Sequence, residues 1–150
     1  MSRASVLLAA LWVACGGGGV PGPAPLDTRH ESCRHCRMAV SDVHFAAQLV
    51  APGEEPLFFD DVGCLAAYLA EGKAAGEGWV AYVADHRSGQ WVLASKAIYT
   101  RAPSLATPMG SHLIAHADAA ARQADPAAAG LPALEPREVF PPAGPPGGKP

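Results

Sequence analysis

No stretch of the sequence is rich in positive charge: eleven Lys and Arg stand against fourteen Asp and Glu, a formal net charge of −3. Phosphate backbones are bound by clustered cations, so the composition speaks against nucleic acid as a partner. Nothing reads G-x-x-x-x-G-K-[ST], G-x-G-x-x-G or G-x-S-x-G. That removes the loops that cradle nucleotide phosphates and the elbow that presents a hydrolase serine. The carboxylates make no paired constellation for acid–base work, and no nucleophile stands with its base. An enzyme is not expected. Long apolar runs are missing too. Residues 4–14 are mostly apolar, but as a helix they reach about 16 Å, half of a ~30 Å hydrocarbon core.

That run has Arg3 as its only preceding charge and ends at Ala14-Cys15, before four glycines. It reads as a signal-peptide h-region and not as a transmembrane anchor. A small residue before a cysteine at this place resembles a bacterial lipobox. The resemblance implies that Cys15 becomes the lipid-modified first residue of the mature chain and that the bilayer is a partner. Ordinary cleavage near Cys15, leaving a soluble periplasmic protein, is the alternative. Gly16, where Asp would signal retention, points to the outer membrane, so the expected place is the periplasmic side of the cell envelope.

Glycine and proline crowd the ends. Eight of the ten residues 16–25 and twelve of the twenty-five residues 126–150 are Gly or Pro, against eleven in the hundred between. The organisation expected is a signal peptide over 1–14, a flexible lipid-anchored tether over 15–32, one folded domain over 33–125 and a disordered tail over 126–150. A domain of that size supports one core. Residues 45–50 and 57–59 read as a hairpin across Pro52-Gly53. Asp60 or Asp61 can cap a helix with Val62, Leu65, Ala66 and Leu69 on one face, ended by Gly72. Residues 79–84 and 91–94 are strand-like around a polar turn, residues 95–101 are ambiguous, 112–117 is strand-like, and Asp118 can cap a closing helix. The class is α+β, a small single domain in which each half reads strand, strand, helix.

Sulfur is scarce and unevenly placed. Cysteines occur at 15, 33, 36 and 64, and beyond Met1 only Met38 and Met109 remain. The local pattern Cys33-Arg34-His35-Cys36-Arg37-Met38 is a C-x-x-C-x-M, and Met109 lies in the turn-prone Thr107-Pro108-Met109-Gly110-Ser111-His112. Thiolate and thioether sulfur select Cu(I), whereas zinc takes Cys and His but seldom a thioether. A structural disulfide, a zinc site built from Cys33, Cys36, Cys64 and a His, and a redox dithiol are the competing readings of the cysteines. A thiol oxidoreductase needs a strand before its C-x-x-C and a helix starting at it, and neither pattern is present. Cys64, at the start of a helix, is either a dipole-favoured thiolate or a small buried hydrophobe. His112, three residues after Met109, is a further candidate ligand. His35 would point away from a metal held by both flanking cysteines. His30, His44, His86 and His116 have no spacing that assigns them a role.

Five blocks together carry a resemblance: Cys36-Arg37-Met38, Ala46-Ala47-Gln48, Phe59-Asp60-Asp61-Val62-Gly63-Cys64, Trp91-Val92-Leu93-Ala94-Ser95-Lys96-Ala97 and Thr107-Pro108-Met109-Gly110. In this order they resemble the NosL-type copper-chaperone lipoproteins, from about residue 33 to 117. The resemblance implies a small α+β domain of duplicated β-β-α units. It implies a Cu(I) carrier acting in denitrification, which delivers copper to nitrous oxide reductase together with a membrane transporter complex. It puts Cys36, Met38 and Met109 in the ligand set. Arg37 stands where the family usually has Gly.

Overall fold

The computed structural model describes residues 19–73 and 78–140. Strand β1 (Ala47–Val50) is buried along its whole length because it lies inside the sheet. It pairs antiparallel with β2 (Leu57–Phe59) on one side, with Ala47 opposite Phe59. On the other side it pairs with β3 (Val80–Ala84), with Ala47 opposite Val83. β4 (Trp91–Leu93) follows β3 as a hairpin, which completes a four-stranded sheet in the order β2-β1-β3-β4. The ambiguous stretch resolves into a turn, with Lys96 N–H donating to Leu93 O at 2.9 Å, and then β5 (Ile98–Arg101). β5 pairs with β6 (Leu113–His116) in a second, two-stranded sheet. The sheets meet where Asp85 forms a parallel bridge with Ala115.

Helix α1 (Val62–Ala70) starts at Asp61, whose carboxylate accepts from Gly63 N–H at 2.6 Å. Gly72 follows its end in the left-handed conformation, φ +67°, which a side chain would strain. Val62, Cys64, Leu65 and Tyr68 are its buried residues, and Phe59 meets Tyr68 with ring centroids 5.2 Å apart. The buried face is therefore turned toward Cys64 and Tyr68, while Ala66 and Leu69 pack at its margin. Helix α2 (Ala119–Gln123) is capped by Asp118 as the sequence predicts. A strand–strand–helix unit thus occurs twice, β1-β2-α1 and β5-β6-α2, with the β3–β4 hairpin between the two. The α+β reading holds, and among the described residues no helix is long and apolar enough to cross a membrane.

The domain boundaries are wider than 33–125. Buried Gln48 accepts from Ala24 N–H at 2.8 Å and donates to Ala24 O, and Tyr82 OH donates to Pro21 O at 2.8 Å. Chain assigned to the tether is therefore bound to the sheet from Pro21 onward, because two buried polar side chains need those backbone partners. At the other end, residues 126–140 are ordered. A 3-10 turn covers Pro126–Ala128, Leu134 bridges Tyr99 with bonds of 2.8 and 3.0 Å, and helix α3 (Pro136–Val139) brings Val139 and Phe140 against the core. Phe140 meets Tyr99 edge-on at 5.5 Å. The expected signal peptide, the expected lipid attachment at Cys15 and tail residues 141–150 lie outside the described residues.

Candidate metal centre

The C-x-x-C-x-M segment folds as a loop closed on itself. Cys33 N–H donates to Met38 O at 2.7 Å, Arg37 N–H to Cys33 O at 3.0 Å, and Ser32 bridges Ala39. Arg34 N–H, donating to Phe58 O at 2.8 Å, fastens this loop to β2. Closing it requires a left-handed residue, and that residue is Arg37 at φ +69°. Cys33 is fully buried and Cys36 half-buried, while Met38 is 56% exposed at the loop's end.

β2 and α1 supply the rest. One carboxylate suffices to cap α1, and it is Asp61. Asp60, immediately before it, turns its side chain onto the thiols instead. Cys36 Sγ–H donates to Asp60 Oδ2 at 3.4 Å, and Asp60 Oδ1 is buried without a hydrogen-bond partner. Cys33, Cys36, Asp60 and Cys64 each offer a ligand atom, all within 4.8 Å of one another. A buried carboxylate oxygen left unpaired beside three sulfurs is what a cation would satisfy.

The three cysteines are free thiols and share protons unequally. Cys33 is pulled down to about 6, chiefly because the Cys64 thiol donates to it. Cys36 is pushed up to about 11 by burial, and Cys64 is driven up because its hydrogen is held by the Cys33 sulfur. The resting cluster is thus one thiolate and two thiols at neutral pH. A thiolate is the form that binds metal.

Met109 comes beside Cys64 from a distant stretch of the sequence. Besides capping α1, the buried Asp61 carboxylate accepts from Thr107 Oγ1 at 2.7 Å, Met109 N–H at 3.1 Å and the Ser111 hydroxyl. The Thr107-to-Ser111 loop is thereby clamped on the first turn of α1. The approach is close enough that a Cβ at Gly63 would lie 2.5 Å from Ser111 Cβ. Met109 then lines, with His35, Gly63, Cys64 and Ser111, an open cavity of about 230 Å³.

Of the residues singled out in the sequence, Cys33, Cys36 and Cys64 converge, and Met109 shares a cavity with Cys64. Met38 is tied to Cys33 through its backbone. His112 is not in the cluster: its Nδ1 lies 2.8 Å from Leu105 O and its N–H donates to Thr107 Oγ1 at 3.1 Å, so it stiffens its own loop at φ +58°. His35 turns toward the cavity, contrary to the expectation that it points away. Its Nδ1 is buried without a hydrogen-bond partner, 3.9 Å from a Glu71 oxygen. Asp60, read as a cap, is a cluster member. The signal for it was the doublet itself, since the second acid of a pair beside one helix start has no capping work.

The donor set is soft, with three thiol sulfurs, a thioether on the adjoining cavity and a single carboxylate. It suits a thiophilic cation. Residues 23–130 match the NosL family model. No curated protein and no solved structure matches the chain.

Proposed function

We propose a Cu(I)-carrier function from the premise that the chain belongs to the NosL family of copper-binding accessory proteins. The observation that carries the reading is Met109, brought by Asp61 onto the cavity that Cys64 also lines. A thioether adds no charge, binds Cu(I) and is a poor ligand for zinc, so its placement there favours monovalent copper. Cys36, a thiol at rest, is the anchoring thiolate once the ion displaces its proton, and Met38 and Met109 are the exchangeable thioethers. Cys33 and Cys64 lie within reach of the same ion. Cu(I) bound at Cys36 displaces the hydrogen that the thiol shares with Asp60. Both methionines are exposed, 56% and 44%, so a partner's ligand can enter and take the ion. Delivery to nitrous oxide reductase, alongside a membrane transporter complex and from a lipid anchor on Cys15 at the outer membrane, follows the family resemblance.

The test is Met109→Leu, which keeps volume and removes the sulfur. Competition titration is expected to show Cu(I) affinity lowered by about tenfold, equivalent to about 1.4 kcal/mol. Unchanged affinity removes Met109 from the ligand set and with it the case for copper over zinc.

One observation favours a second reading, an exported zinc module that recruits a partner. Cys33, Cys36, Cys64 and Asp60 are four donors within 4.8 Å, with Asp60 in the place expected of a His. Stoichiometric zinc in protein purified under reducing conditions, indifferent to substitution of Met38 and Met109, is the result that would select it.

A further inference from the structure

A second group of metal-ligating side chains, sharing no residue with the thiol cluster, is assembled by the other half of the chain. His86 stands in the β3–β4 turn, His116 on β6 and Asp125 at the start of the 3-10 turn after α2. His116 is fully buried and Asp125 is 3% exposed, while the His86 side chain is 16% exposed. His86 Nδ1 lies 2.6 Å and His116 Nε2 3.0 Å from the same oxygen, Asp125 Oδ2. The other carboxylate oxygen is committed to Ala127 N–H at 2.9 Å. The Phe45 ring, 5.3 Å from that of His86, holds the imidazole in place.

We propose that His86, His116 and Asp125 form a second metal site, which takes a divalent cation of borderline softness, Zn²⁺ above all. Two imidazole nitrogens and one carboxylate oxygen are the ligand types of open zinc sites, and the missing sulfur disfavours Cu(I). With ligand bonds of about 2.0–2.2 Å, donors around a tetrahedral ion stand about 3.3–3.5 Å apart. His86 Nδ1 therefore moves out by about 0.8 Å, which the half-exposed turn carrying it can supply, and buried His116 Nε2 and Asp125 Oδ2 part by about 0.4 Å. Binding needs no proton lost from a neutral ring, because each imidazole moves its hydrogen to its other nitrogen. For His116 that nitrogen, Nδ1, is buried without a partner. The site thus lacks the outer hydrogen bond that usually orients a ligating imidazole, and its affinity is about 10–100-fold below that of a fully supported one. Three protein donors leave one coordination position, and His86, 16% exposed, is the ligand nearest solvent.

The test compares the reduced full chain with His86→Gln and Asp125→Asn, each dialysed to equilibrium against Zn²⁺. The thiol cluster is intact in all three, so its zinc cancels in the comparison. Both variants are expected to take up one equivalent less than the wild type. In the wild type, the ring-nitrogen NMR signals of His86 and His116 are expected to move to metal-bound positions. Equal uptake by all three proteins, or ring signals that stay put in excess Zn²⁺, overturns the proposal. The ring signals decide alone if a variant fails to fold.

Discussion

Arg37 occupies the left-handed region at φ +69° between a thiol and a thioether. An L-residue there costs about 1–2 kcal/mol, and glycine's extra freedom in the unfolded chain returns about 0.4–1 kcal/mol of that on replacement. Arg37→Gly is therefore expected to raise stability by about 0.5–1 kcal/mol, and Arg37→Val, β-branched at the same φ, to lower it. Urea midpoints of the two variants check the pair, and a Gly variant no more stable than the Val variant removes strain from the account. Cys33 makes a second case at this scale. Its ionisation is drawn down from 9.0 to about 6, so between those values the folded protein holds a thiolate that the unfolded chain holds as a thiol. This contribution to stability is present in full above pH 9 and is lost as pH falls through 6. One thiolate absorbance step near pH 6, abolished in Cys33→Ser, is the expected titration, with Cys36 and Cys64 ionising above the ordinary thiol range. A single step near 9 would refute the sharing of protons among the three sulfurs.

At the scale of elements, the site depends on how closely the Thr107-to-Ser111 loop approaches α1. Gly63→Ala places a carbon 2.5 Å from Ser111 Cβ and 3.0 Å from Asp61 Oδ1, so the loop must lift. The expected loss is about 1–3 kcal/mol of stability, and Cu(I) binding weakens although no ligand is altered. A variant with wild-type melting and affinity would mean that the loop does not need this contact. Much of this level was legible in the sequence. Short apolar runs around Pro52-Gly53 and around Asp85 to Gly89 gave the hairpins, and the Asp60-Asp61 pair and Asp118 gave both helix starts. The buried placements of Asp60 and His35 were not legible. The doublet signals a spare acid but not which of the two caps and which turns inward, and His35 faces the cavity only because Arg34 N–H fixes the loop on β2. The His86–His116 pair was equally hidden, its members being thirty residues apart on a turn and a strand.

For the whole molecule, the ordered body extends beyond the boundaries that glycine and proline content set. Leu134, Val139 and Phe140 are single apolar residues scattered among Pro and Ala, so they show no period. They are nonetheless held by Tyr99, whose backbone bonds Leu134 and whose ring meets Phe140. A chain ending at Asp125 gives up this packing. At about 1.5–3 kcal/mol for each large apolar side chain buried, removal of residues 126–150 is expected to cost several kcal/mol and many degrees of melting temperature. An unchanged melting temperature would show that the segment rests on the core without supporting it.

The Asp61 carboxylate joins groups that are 46 to 50 residues apart in the chain. Contacts over such separations form late in folding, because the intervening loop must first be closed at an entropic cost. The thiols of Cys33 and Cys36 are neighbours from the moment that they are synthesised, but Met109 comes to the cavity beside Cys64 only when this last clasp shuts. A half-folded chain therefore presents the cysteines without the thioether, and the complete set of soft donors is a property acquired at maturity.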